Sequence, residues 1–271
     1  MLPIRTIVTD MDDTLLTDER IIPEATQRVV ARCKERGIRF ILASGRAPAS
    51  LRPFVRLLDT GAPYICCNGA QTLDGKTDEM LVDLQFTHEL ALECIRFFEG
   101  EGMYAQYYED DCFCYNREGL YADQYAAATM MPGRLVGPLE KALKGRTAKI
   151  LGVDSPERIS QAREKAKAYF GDRVAVTTSK PYFLEMNPPE ATKAAALARL
   201  GETLDITPET TLAFGDSLND LSMLTWAKYG VAMGNARNEI KAAVSLVCQT
   251  NQEQGVARFI CENVLGEEFV P

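Results

Sequence analysis

Apolar and polar positions follow two rhythms along the chain. Ile4-Arg5-Thr6-Ile7-Val8, Ile38-Arg39-Phe40-Ile41-Leu42-Ala43 and Tyr64-Ile65-Cys66-Cys67 are short apolar runs, the pattern of strands buried in a parallel sheet. Amphipathic stretches at helical spacing separate them. Pro23 opens the first, which carries Val29, Val30 and Cys33 on its apolar side and stops at Gly37. The second covers Leu51 to Leu58 and stops at Gly61. Strand, helix, strand, helix, strand predicts a doubly wound α/β sheet.

The rhythm changes after Asn68-Gly69-Ala70. A hairpin around Asp74-Gly75 and a return strand, Leu81-Val82-Asp83-Leu84, lead away from the sheet. A helix is expected over Glu89 to Glu99, then strands over 103–108 and 112–115 joined by the acidic turn Glu109-Asp110-Asp111. Further strands over 147–153, 174–177 and 181–186 accompany a helix from Pro156 to Tyr169. We read 84–183 as an inserted α+β domain, which leaves 1–83 and 184–271 to the doubly wound core. Tyrosines gather in the insertion. They either face a flat polar ligand such as a sugar or form the core of a small sheet, and the pattern leaves both open. Past Ala191 the alternation resumes: a helix from Thr192, a strand Thr211-Leu212-Ala213-Phe214, a short helix Leu221 to Trp226, and a strand Tyr229 to Met233. A final helix contains Val256, Phe259 and Ile260.

Charge narrows the partners. The net charge of -8 argues against nucleic acid as a bulk partner, since affinity for phosphate backbones comes from clustered Lys and Arg. A small anionic substrate needs only a few local donors. No run approaches the roughly 20 apolar residues that cross a bilayer, and Met1-Leu2-Pro3-Ile4-Arg5 leads directly into the first strand. The expectation is a cytoplasmic protein with no membrane partner. The eight cysteines lack zinc-site spacing and read as free core thiols. His88 is the single histidine, no nucleophile motif surrounds it, and it reads as structural.

Candidate chemistry starts at Thr9-Asp10-Met11-Asp12-Asp13-Thr14, just beyond the first strand, where open parallel sheets bind ligands. Alone, this run reads equally as a solvated turn that caps a helix. Two-residue spacing lets Asp10 and Asp12 face one crevice, and crowded carboxylates recruit a divalent cation; oxygen ligands suit magnesium. Ser44-Gly45-Arg46 ends the second strand and alone is an ordinary strand-to-helix turn. Lys193 alone is a solvated first-turn lysine. Gly215-Asp216-Ser217-Leu218-Asn219-Asp220 follows a later strand.

Together, Asp10-x-Asp12-x-Thr14, Ser44-Gly45-Arg46, Lys193 and Gly215-Asp216-Ser217-x-Asn219-Asp220-x-x-Met223 resemble the haloacid dehalogenase-like hydrolases over the whole chain. Within them the resemblance is to the Cof-type phosphatases with a large inserted cap (type IIB/C2). It implies a magnesium-dependent phosphatase of small phosphorylated metabolites, sugar phosphates favoured. Asp10 is then the nucleophile that forms an aspartyl-phosphate, and Asp12 the general acid and base, with a pKa raised by crowding against Asp10 and Asp13. Magnesium falls to Asp10, the Asp12 carbonyl and Asp216. Ser44, the amides of Met11, Asp12 and Gly45, Lys193 and Asn219 take the phosphoryl oxygens. Asp220 orients Lys193 or a metal-bound water, Thr14 supports, and Arg46 stays outside the catalytic set. Gly234-Asn235-Ala236 shapes a loop. The alternatives are a phosphomutase or phosphotransferase on the same scaffold, or a non-catalytic phosphometabolite-binding protein.

Overall fold

The computed structural model describes all 271 residues. In chain order the elements are β1 (Thr6–Thr9), α1 (Glu24–Glu35), β2 (Arg39–Leu42), α2 (Pro48–Leu58), β3 (Tyr64–Cys66), β4 (Gln71–Leu73), β5 (Met80–Asp83), α3 (His88–Gly100), β6 (Tyr104–Glu109), β7 (Cys112–Tyr115), α4 (Leu120–Thr129) and β8 (Gly133–Leu135). There follow α5 (Leu139–Ala142), β9 (Ile150–Val153), α6 (Pro156–Phe170), β10 (Ala175–Thr177), β11 (Phe183–Asn187), α7 (Lys193–Leu204), β12 (Thr211–Gly215), α8 (Leu221–Trp226), β13 (Tyr229–Ala232), α9 (Asn238–Ala243), β14 (Leu246–Val247) and α10 (Gly255–Ile260).

The core is a parallel sheet in the order β14-β13-β12-β1-β2. β1 lies inside the sheet, between β12 and β2, so its buried run Thr6-Ile7-Val8-Thr9 pairs on both edges, with Thr9 opposite Phe214 and Leu42. The carboxyl ends of β1, β12 and β2 therefore open side by side, and their three following loops share one edge of the sheet. Tyr64–Cys66 continues this layer only through one bridge, Ala43 to Ile65; its ladder is a separate antiparallel sheet with β4 and β5.

The inserted cap is a six-stranded sheet in the order β10-β11-β9-β6-β7-β8. Alternation along β6 decides its packing. Ala105 and Tyr107 face a hydrophobic cluster with α3 and α6, while Tyr104 and Tyr108 join the core's own cluster. The cap is thus covered by helices on one face and seated on the core by the other. Tyr104, Tyr107, Tyr108 and Tyr125 are buried, whereas Tyr121 and Tyr182 are exposed, so the inserted tyrosines divide between core and surface. β11 remains in the cap sheet to Asn187, and the chain re-enters the core between Asn187 and Lys193. No helix is long and apolar enough to cross a membrane. Seven of the eight free cysteines are buried, and His88 Nδ1 lies 2.9 Å from the Gly145 carbonyl at the start of α3.

Candidate active site

A cavity of about 240 Å³ lies between the core's strand ends and the cap, lined by Asp10, Asp12, Ser44, Gly45, Asp216 and Asn219 among mostly polar side chains. Met11, Thr14, Lys193 and Asp220 stand behind this lining and are buried. After β1 the chain enters a tight, non-helical turn, Met11–Leu15, in which Asp12 is extended and Asp13 takes a positive φ of 61°. Asn235 Nδ2 donates to the Asp13 carbonyl at 2.7 Å and its Oδ1 accepts from the Asn251 amide at 3.0 Å, so the Gly234-Asn235-Ala236 segment holds the turn in shape.

Lys193 is the first residue of α7, capped by Thr192, and is wholly buried rather than solvated. Its ammonium donates to Asp10 Oδ1 at 2.5 Å and to Asp220 Oδ1 at 2.6 Å. Burial opposes its charge, but the two carboxylates outweigh burial and hold its pKa above the ordinary value. Asp220 Oδ2 accepts from the amides of Asp216 and Ser217, each at 2.9 Å, so both its oxygens are engaged in fixing the loop and Lys193. Gly215 is required there, because a Cβ would lie 2.5 Å from the Asp220 Cβ.

Asp216 Oδ1 accepts from Thr14 Oγ1 at 2.9 Å, and Ser217 Oγ lies 2.9 Å from Asp216 Oδ2. Burial, then Asp220, pushes the Asp216 carboxyl up to about 7. Burial and Asp220 likewise lift Asp10 well above the ordinary range against the pull of Lys193. Single oxygens of Asp10, Asp216 and Asp220 lie within 4.8 Å of one another. Lys193 pairs with Asp10 and Asp220 but not with Asp216, which leaves an excess of buried negative charge that a divalent cation relieves. Asp10 and Asp216 line the cleft while Asp220 is wholly buried behind it, so Asp10 and Asp216 are the side chains that fit such an ion.

Asp12 departs from expectation. Crowding against Asp10 and Asp13 does not raise its pKa. Burial does act upward, but Arg46 donates through Nε and Nη2 to the two Asp12 oxygens, each at 2.8 Å, and the net shift is downward. Arg46 is buried between Ser50, which accepts from Nη1 at 2.8 Å, and the Phe54 ring. Asp13 is turned to the cap, where it pairs with Lys180.

A polar network continues from this cleft into the cap. Asn219 Nδ2 donates to Asn68 Oδ1 at 3.1 Å, which leaves Asn219 Oδ1 buried without a partner. Asn68 Nδ2 donates to Glu185 Oε2 at 2.8 Å and Asn187 Oδ1 at 3.0 Å. Lys149 Nζ donates to Glu185 Oε1 at 2.7 Å and to the Gly45 carbonyl at 2.8 Å. Burial again opposes the Lys149 charge, and Glu185 outweighs it. The sequence leaves Arg46 outside the catalytic set, as a substrate contact or a partner of a surface acid, whereas its partner is Asp12; it does not single out Lys149, Lys180, Glu185, Asn68 or Asn187. A signal existed for two of them: Lys149 and Glu185 are lone charges in otherwise apolar strand runs.

A family model described as haloacid dehalogenase-like hydrolase matches residues 7–260. The crystal structure of a haloacid dehalogenase-like hydrolase from Bacteroides thetaiotaomicron is similar with a TM-score of 0.83 at 28% identity, over 95% of this chain and 98% of that one. The 5-amino-6-(5-phospho-D-ribitylamino)uracil phosphatase of Bacillus subtilis is 26% identical over 97% of this chain and 96% of its own. The pyridoxal phosphate phosphatase of Escherichia coli is 26% identical over 96% and 99%.

Proposed function

The chain belongs to the haloacid dehalogenase-like hydrolases, in their Cof-type branch, and from that premise we propose a magnesium-dependent phosphatase of small phosphorylated metabolites, sugar phosphates foremost. The observation that carries this reading is the buried line Asp10–Lys193–Asp220, which presents a lysine-paired carboxylate to a polar cleft.

In this reading an Asp10 oxygen attacks phosphorus, the bond from phosphorus to the leaving oxygen breaks, and an aspartyl-phosphate forms. Asp12 gives the leaving alkoxide its proton, then takes one from the water that cleaves the acyl phosphate and restores Asp10. Arg46 holds Asp12 as the carboxylate, the form suited to the second step; the acid form requires the pair to part when a phosphate dianion draws on Arg46. Lys193 keeps positive charge beside the transferring group. Ser44, with the amides of Met11, Asp12 and Gly45, donates to phosphoryl oxygens, and Asn219 joins them by exchanging its bond to Asn68. Magnesium, held by Asp10, the Asp12 carbonyl and Asp216, would offset phosphoryl charge. The polar lining favours a polyol leaving group over an apolar one. The expected domain division, 1–83 and 184–271 against 84–183, is proposed with its second edge moved to Asn187, where the cap sheet ends.

The test is hydrolysis of p-nitrophenyl phosphate with magnesium, followed by a panel of sugar phosphates, pyridoxal phosphate and phosphoribitylaminouracil. Asp216→Ala is expected to raise the magnesium requirement. Absence of turnover on every substrate, or turnover indifferent to chelation, refutes the proposal.

A further inference from the structure

We propose that Lys149, supplied by the cap, is a positioning residue for the phosphate-binding loop: through the Gly45 carbonyl it sets the Ser44 hydroxyl that meets the phosphoryl group. This rests on the phosphatase reading above.

Lys149 is 2% exposed, and its ion pair with Glu185 is buried in the wall of the cavity. A buried pair is a poor device for stability alone, because apolar residues of similar volume often do as well or better. Its geometry points to a different use. The Gly45–Arg46 peptide is held at both ends: Lys149 donates to its carbonyl at 2.8 Å, and its N–H, from Arg46, donates to Ser44 Oγ at 3.1 Å. That second bond occupies a lone pair of the Ser44 hydroxyl and leaves its O–H for an acceptor in the cavity that Ser44 lines. Rotation of this peptide removes the constraint on the hydroxyl.

The other side of the loop is closed by the same network. A Cβ on Gly45 would lie 2.9 Å from Asn68 Oδ1 and 3.5 Å from both Glu185 oxygens. Glu185 is fixed in turn by Asn68 Nδ2 and by Ser179 Oγ at 3.0 Å. Asn187 Nδ2 donates to the carbonyls of Cys67 and Ala148, which sets the amide orientation of Asn187 and, through its Oδ1, that of Asn68. Lys149 therefore has no alternative carboxylate rotamer to follow. Because Lys149 and Glu185 belong to the cap while Ser44 and Gly45 belong to the core, the loop is complete only with the cap seated.

The experiment replaces the pair by apolar residues, Lys149→Met with Glu185→Met, which keeps the interior free of unpaired charge. The double variant is expected to melt near wild type. Its kcat/KM for p-nitrophenyl phosphate should fall roughly 10- to 100-fold, the usual cost of losing a group that orients a ligand contact. Inorganic phosphate should bind more weakly by calorimetry, while the magnesium titration midpoint stays put. Ser44→Ala should lower wild-type kcat/KM markedly and change the double variant little, since the hydroxyl is already misdirected there. Unchanged kcat/KM and phosphate affinity, or fully additive losses with Ser44→Ala, overturn the role. Should the methionine pair not fold, Lys149→Met with Glu185→Gln, which keeps a polar partner for Asn68 and Ser179, carries the same readouts. A wild type that binds inorganic phosphate but turns over no ester defeats the phosphatase reading, and the phosphate affinities still judge Lys149.

Discussion

Arg46 grips Asp12 with two parallel hydrogen bonds, Nε to Oδ2 and Nη2 to Oδ1, both 2.8 Å long. Sequence adjacency places Asp12 beside two other carboxylates, yet its partner is a guanidinium more than thirty positions away. A bidentate pair of this kind fixes the carboxylate plane as well as its charge.

Arg46→Met is therefore expected to cost about 2 kcal/mol of stability at neutral pH. The sign with pH follows from the downward shift of Asp12 in the folded state. The pair's contribution is present above the unfolded carboxylate value, near 4, and is lost as pH falls through the lower folded value. Melting temperatures of wild type and variant should differ at pH 7 and converge in acid. An equal gap at both ends contradicts the pairing.

Asp10→Asn should reduce turnover by more than about a thousandfold, since an amide is no substitute for the attacking carboxylate. Stability should not follow activity down. Burial and Asp220 hold the Asp10 pKa well above its ordinary value, so its charge opposes folding at neutral pH. In chelator the variant should melt at or above wild type, and added magnesium should raise wild type more than the variant. A variant that melts well below wild type in chelator speaks against this electrostatic account.

Lys193→Met removes the cation shared by Asp10 and Asp220. Two buried carboxylates lose their partner, a change of about 3–5 kcal/mol, and magnesium should restore part of it. Activity should fall roughly 10²- to 10³-fold even at saturating magnesium. Thermal melts with and without chelator measure the first effect and initial rates the second. Wild-type stability in chelator would show that the lysine is not balancing those charges.

Gly69→Ala tests the support behind that lysine. Gly69 has φ +103°, and a Cβ there would lie 2.2 Å from the Thr192 carbonyl, immediately before Lys193. The combined clash and strain should cost on the order of 3 kcal/mol and lower activity by shifting the start of α7. Gly100→Ala, with nothing within 4 Å of its Cβ, serves as control and should match or exceed wild-type stability. Urea unfolding separates the two; equal midpoints would reject the close approach.

The elements missed from sequence share physical causes. α4 presents apolar and polar residues on all sides, so no face is marked. β8 is three exposed residues, and β14 is only two, a half-buried Leu246 and an exposed Val247; each pairs with a single neighbouring strand. The pairing of Tyr64–Cys66 with an antiparallel hairpin rather than fully with β2 depends on strands beyond the local run.

Sequence by itself determined the kinds of element and the segments that bear chemistry. Both are local: apolar periodicity marks strand and helix, and an acidic or Gly-containing run after a buried strand must fall at a sheet's carboxyl edge. The neighbouring positions of β1, β2 and β12 then bring Asp10, Ser44 and Asp216 to one cleft. Tertiary structure alone decided how the charges pair. Asn219 meets Asn68 across 151 positions and Lys149 meets the Gly45 carbonyl across 104. Burial weakens solvent screening, so those distances, rather than neighbours in sequence, set which carboxylate is held ionised, which lysine stays charged and which loop is clamped.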